Sequence, residues 1–258
     1  MNVFYGVMIP FACTTLGSAA VFLFREKVND KAIRMFLAMA AGIMVAASFF
    51  SLLMPALEGA EKLGMIPWVP VCISFMLGGL FLLAVDKIVP HFHPQTNTTE
   101  GVKSHLKKTT MMVFAVTLHN IPEGMAVGLM FGLALQTNDT AVLSSAVALA
   151  IGIGIQNIPE GAAVSLPMKK EGVSNMKAFI YGTLSGLVEP IAAGIAILFV
   201  SVVHGVMPWM LAFAAGAMIY VVVEELIPEA HVEEHANMES MIFMIGFTIM
   251  MLLDVALG

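Results

Sequence analysis

The run MFLAMAAGIMVAASFFSLLMPAL, Met35 to Leu57, is 23 residues long and carries no charge. A helix rises about 1.5 Å per residue and the hydrocarbon core of a bilayer is about 30 Å thick, so roughly 20 such residues cross it. Working outward, Val3 to Phe24, Met65 to Val85 and Gly205 to Val223 are uncharged runs of the same kind, and Met241 to Leu257 is shorter, with Asp254 near its end. Three more, Thr109 to Leu135, Thr140 to Met168 and Ala178 to Val203, are long enough to span but carry charge near their middles. The whole is expected to be one all-α, polytopic transmembrane domain over residues 1–258, with eight transmembrane helices.

Composition agrees. The chain is 59% hydrophobic and 12% charged, with a mean hydropathy of +0.91, which excludes an ordinary soluble fold. The two cysteines, Cys13 and Cys72, sit inside apolar runs and are expected to be small buried hydrophobes rather than a disulfide framework. The net charge of -6 comes largely from an acidic stretch near the C-terminus, and no basic, aromatic-interleaved patch suits nucleic acid. The lipid bilayer is therefore the first partner.

Eleven of the twelve Lys and Arg fall in the first, third and fifth loops, and the even-numbered loops hold only Lys62. Loops rich in these residues stay cytoplasmic, so both termini are expected outside the cytoplasm. Basic residues follow the first span instead of preceding it, so it reads as an anchor rather than a cleavable signal peptide. The stretch 90–108, with Pro90, Pro94, His91, His93 and His105, is expected to be a mobile cytoplasmic loop.

Two neighbouring spans carry nearly the same hexapeptide: His-Asn-Ile-Pro-Glu-Gly at His119 to Gly124, and Gln-Asn-Ile-Pro-Glu-Gly at Gln156 to Gly161. At about 100° per residue, the Glu lies roughly 40° from the first residue and 60° from the Asn, so it can share a ligand with either. Each proline frees a carbonyl one turn back, at Leu118 and Ile155, and each glycine admits a neighbouring backbone. One short loop joins the two spans, so they run antiparallel and the motifs can face each other near mid-membrane, an inverted pair around a central site.

A third carboxylate, Glu189, precedes Pro190 near the middle of its span. A charge at the bilayer centre costs about 2.5–3.5 kcal/mol on insertion scales, and no Lys or Arg lies within these spans to offset three of them. Bound protons or a cation must do so. Polar residues that only pin helices together are the alternative reading; the duplication of the motif and the third Glu argue against it. Imidazole beside carboxylates suits zinc and its first-row neighbours, whereas magnesium and calcium sites are built from oxygen alone.

These residues resemble the ZIP (Zrt- and Irt-like) divalent metal transporters, most closely their bacterial GufA-like branch. The likeness runs through the whole chain: eight spans in an inverted-repeat helix bundle, the His-bearing third loop, the paired motifs and the Glu-Pro of the sixth span. The resemblance implies a primary metal site of Met44, His119, Glu123, Gln156 and Glu160, with Asn120, Asn157 and Glu189 completing an adjacent site that shares the two glutamates. The Ala-Ala-Gly-Ile-Met context alone singles Met44 out among 22 methionines, most of them packing residues. Ser51, further along that helix, is a candidate to line the same path. The commoner family pattern has His where Gln156 stands, and some bacterial members carry Asp at Asn157. Three Glu carry -3, so two divalent ions would leave +1 in low dielectric, which disfavours double occupancy.

The segment expected as the seventh loop holds Glu224, Glu225, Glu229, His231, Glu233, Glu234, His235 and Glu239. His231-Val-Glu-Glu-His235 matches an inverzincin protease pattern, but the third ligand and large soluble scaffold of that chemistry are missing. A solvated acidic loop is the plainer reading. Glu224, Glu225, His231 and His235, with His91, His93 and His105, form the candidate cytoplasmic exit or relay. The function expected is a carrier, not an enzyme, taking Zn(II) as substrate into the cytoplasm by alternating access, with Cd(II), Fe(II) and Mn(II) as related ions and no catalytic cofactor. An iron or manganese carrier is the alternative within the class, and an intramembrane zinc hydrolase the alternative outside it. A homodimer is an assembly this reading allows.

Overall fold

The computed structural model describes residues 3–23, 30–88, 91–93, 98–100, 108–170, 172–202, 205–230 and 237–257. His105, His231, His235 and the protease-like pentapeptide lie outside the described residues, and of His91 and His93 the backbone alone is described. Seven helices among the described residues are long and apolar enough to cross a membrane: α1 (Val3–Leu23), α2 (Arg34–Lys62), α3 (Trp68–Ile88), α5 (Thr140–Lys169), α6 (Asn175–Val200), α7 (Met207–Ala230) and α8 (Asn237–Ala256). An eighth, α4 (Lys108–Thr137), is 30 residues long and carries the first hexapeptide.

The helices pack in close pairs: α1 on α5, α4 on α6, α2 on α8 and α3 on α7, with α4 and α5 touching between them. Exchanging α1 with α6, α2 with α7, α3 with α8 and α4 with α5 maps this set of pairs onto itself, which is the expected inverted repeat. Small residues make it possible. A Cβ at Gly42 would strike the Phe243 carbonyl and one at Gly246 the Met39 carbonyl, while Gly78 and Gly216 press on Phe213 and Phe75 in the same reciprocal way. Alanines such as Ala38, Ala41, Ala214 and Ala215 fill the interior, and Trp68, Met76, Leu80 and Leu198 face outward. An apolar exterior around a small-residue core suits lipid as the solvent.

Two helices carry a π-helical turn, Ser48–Leu53 in α2 and Val222–Leu226 in α7. Each precedes a proline, Pro55 and Pro228, that cannot donate to the carbonyl four residues back. The widened turn absorbs the defect, with Met54 N–H on Phe49 O and Ile227 N–H on Val222 O. The turns are mates under the repeat, and so are Ala40-Ala-Gly-Ile-Met44 and Ala214-Ala-Gly-Ala-Met218 ahead of them. In α6 the helix breaks at Leu187, between Asn175–Gly186 and Val188–Val202. Pro190 withholds a donor from Gly186 there, and Glu189 falls in the first turn of the second half.

Two expectations are corrected, the acidic seventh loop and the buried cysteines. α7 runs to Ala230 and α8 begins at Asn237, so Glu224, Glu225, Glu229 and Glu239 belong to helices and not to a loop; Pro228 is absorbed by the π turn instead of ending the helix. Glu239 lies 3.7 Å from Arg34, tying the start of α8 to that of α2. Within 90–108, His91–His93 (β1) and Thr98–Glu100 (β2) form an antiparallel pair with Phe92 opposite Thr99. Cys13 is half-buried and Cys72 exposed. A thiol is apolar enough for a helix face that meets lipid.

Candidate metal centre

α4 and α5 run unbroken through Pro122 and Pro159 and bring the two hexapeptides side by side. The glycine ending each motif marks a backbone contact: a Cβ on Gly124 would overlap Glu189 of α6, and one on Gly161 the Thr14 carbonyl of α1. The motif residues are consequently sealed in. Asn120, Glu123, Gln156 and Asn157 are fully buried, and His119, Glu160 and Glu189 nearly so.

Helix spacing puts Glu123 and Gln156 face to face, and Gln156 Nε2 donates to Glu123 Oε1 at 2.6 Å. Asn120 Nδ2 donates to the Ser185 carbonyl at 3.1 Å, just before the break in α6. Thr14 Oγ1 donates to Glu189 Oε1 at 2.9 Å, and Asn157 lies against Glu189. The carboxyl groups of Glu160 and Glu189 are neighbours of Glu123. His119 pairs through Nε2 with Glu225 Oε1 on the π turn of α7.

Within the two motifs and Glu189, six acceptor oxygens are left buried without a hydrogen-bond partner: Asn120 Oδ1, Glu123 Oε2, Gln156 Oε1, Asn157 Oδ1, Glu160 Oε2 and Glu189 Oε2. All are from residues singled out by the sequence. Each unpaired buried acceptor is costly, and an anionic one more so; the Asn157 Nδ2 donor is left without a partner beside them, and an excess of six acceptors over one donor is the chemistry that receives a cation. Among the described residues no three His, Cys, Asp or Glu side chains are gathered into a group able to hold a metal ion. The ligand candidates are paired with one another instead, Gln156 with Glu123 and His119 with Glu225.

Met44 is fully buried on α2, which packs on the motif-bearing α5. Ser51, on the π turn of α2, donates to Asp254 Oδ1 at 2.6 Å. Asp254 lines a cavity of about 490 Å³ together with Glu58, Lys62, Asp139 and Ser145. Glu224 is exposed, whereas Glu225 is buried against His119.

Two residues were invisible to motif reading, Glu225 as the partner of His119 and Thr14 as the partner of Glu189. The Ala-Ala-Gly-x-Met repeat was a signal for the first. It relates α7 to α2 and carries α7, like α2, through its proline, which puts Glu225 inside the span. Nothing in α1 marked Thr14.

Fold and site together define a multi-pass helical membrane protein with a buried, acceptor-rich centre built on a duplicated motif. The family described as ZIP Zinc transporter matches residues 2–109 and 93–254. The chain is 33% identical to zinc transporter ZIP11 of Homo sapiens, with 98% of this chain and 96% of that protein covered. It is 37% identical to zinc transporter GufA of Myxococcus xanthus over 81% of each, and 36% identical to zinc transporter ZIPB of Bordetella bronchiseptica over 96% of this chain and 79% of that one. The chain belongs to the ZIP zinc transporter family.

Proposed function

We propose that this chain carries zinc into the cytoplasm by alternating access, as a carrier and not an enzyme. The observation that carries the reading is the set of six buried, unpartnered acceptor oxygens on the two motifs and Glu189. Zinc entering there would be held by His119, Glu123, Gln156 and Glu160 with the Met44 thioether. Asn120, Asn157 and Glu189 form the adjacent set. One imidazole, carboxylates and a soft sulfur favour Zn(II) and Cd(II) over hard ions, with Fe(II) and Mn(II) as competitors.

Inward transport is the direction proposed. With both termini extracytoplasmic, α2 runs outward from Met44 to Ser51 and Glu58, and the acidic cavity that holds Asp254 faces the entry side. α7 runs inward from Met218 to Glu225. On this reading the ion passes from Ser51 and Asp254, through the motifs, to Glu225 and on toward the strand that carries His91 and His93. His119 must leave Glu225 to bind at the centre and regains it on release, so the ligand is never left uncompensated in low dielectric. In the movement proposed, the close pairs α1–α5 and α4–α6, which carry the motifs and Glu189, shift as one group against the close pairs α2–α8 and α3–α7.

Zinc uptake into proteoliposomes with a dye trapped inside, compared with cadmium, iron and manganese, tests this reading. Saturable zinc accumulation above protein-free vesicles is expected. Its absence, or preference for iron or manganese over zinc, overturns it.

A further inference from the structure

We propose that Thr14 is a positioning residue for the metal centre: its hydroxyl holds one oxygen of Glu189 so that the other is presented to the ion. This rests on the zinc-carrier reading above. Thr14 is fully buried on α1. Its Oγ1 donates to Glu189 Oε1 at 2.9 Å and lies 3.2 Å from the Pro10 carbonyl. One hydroxyl proton serves one acceptor at a time, and the shorter contact, to the carboxylate rather than the carbonyl, is the stronger of the two. Glu189 Oε2 is left buried and unpartnered.

The backbone around this bond is built for it. A Cβ on Gly186 would lie 2.8 Å from Thr14 Cβ and Cγ2 and 3.1 Å from Glu189 Oε1, so only glycine leaves room for both side chains. Gly161 lets α1 settle on α5 at the Thr14 carbonyl, beside Glu160. The break at Leu187 sets Glu189 in the first turn of a new helical segment, where a Glu side chain with several rotatable bonds needs an anchor to keep one direction. Thr14 is that anchor. It restricts Glu189 to a single free oxygen, one ligand atom instead of two, and spares the ion the entropic cost of ordering the chain.

The test is a double-mutant cycle read in zinc uptake by the full-length protein in vesicles. Thr14→Val keeps the side-chain shape and removes the donor. It should raise the half-saturating zinc concentration by about tenfold, the lower end for a hydrogen bond to a charged group, while Thr14→Ser restores it. In a Glu189→Ala background the same Thr14→Val change should have no further effect, because Thr14 acts only through Glu189. If Thr14→Val fails to reach the membrane, Thr14→Ala against Thr14→Ser gives the same comparison. An unchanged half-saturating concentration in Thr14→Val, or an equal loss in both backgrounds, overturns the proposal and leaves Thr14 a packing residue. Failure of the unaltered protein to take up zinc is a different result, and it overturns the carrier reading itself.

Discussion

Replacing Gln156 with His tests the geometry of the centre at its most informative position. Gln156 Nε2 donates to Glu123 Oε1 at 2.6 Å, and both residues are fully buried. An arriving ion must break this charge-assisted bond before Glu123 and the amide can turn to it, at a cost of about 1.5–3 kcal/mol, or roughly 10- to 150-fold in affinity. An imidazole at 156 can donate from one nitrogen to Glu123 while the other binds the ion, so the competition is relieved only in part and the lower end applies. Imidazole is also the stronger zinc ligand, and His119 shows that it fits the same place in the mate motif. Gln156→His should therefore lower the half-saturating zinc concentration by about tenfold. Stronger binding acts mostly through slower dissociation, so the maximal rate should fall as well. A zinc titration of dye-reported uptake measures both. A half-saturating concentration that is unchanged or raised means that Gln156 does not face the ion, and the site as described is wrong.

The orientation can be checked by cysteine labelling after Cys13 and Cys72 are changed to Ser: Asn97→Cys should react only from the cytoplasmic side, and a cysteine at either terminus only from outside. Labelling of Asn97→Cys from outside intact cells would reverse the topology. The helix contacts predict a contrast between two glycines. Gly246→Ala drives a methyl into the Met39 carbonyl and should cost about 1–3 kcal/mol, seen as a lower melting temperature in detergent. Gly194→Ala, with nothing within 4 Å of its Cβ, should gain about 0.4–1 kcal/mol; equal behaviour of the two would contradict the backbone-close packing.

Most of the spans were legible because lipid demands long apolar runs, and the motif residues because buried charge is rare enough in such runs to stand out. The boundary of α7 was not. A run-length reading stops at Val223, where Glu224 and Glu225 begin, but the π turn at Val222–Leu226 carries the helix on to Ala230 and takes Glu225 into the interior. Charge alone could not say this, since Glu224, one residue earlier, is exposed. Thr14 was illegible for another reason. A threonine in an apolar helix satisfies itself on the carbonyl one turn back, as Thr15 does on Phe11 at 2.9 Å, so nothing local distinguishes a hydroxyl that reaches a carboxylate 175 residues away in sequence. The preference of His119 for Glu225 over Glu123 is likewise a fact of three-dimensional packing, although Glu123 is its i+4 neighbour on the same helix face.

The central claim is that Glu123 and Glu160 hold the transported ion between them. Zinc uptake into proteoliposomes by the unaltered protein, Glu123→Ala and Glu160→Ala tests it most directly, with matched elution and helical content confirming that all three are folded. The account predicts saturable uptake by the unaltered protein and uptake no greater than that of protein-free vesicles for each Glu variant. Near-normal uptake by either variant would contradict it.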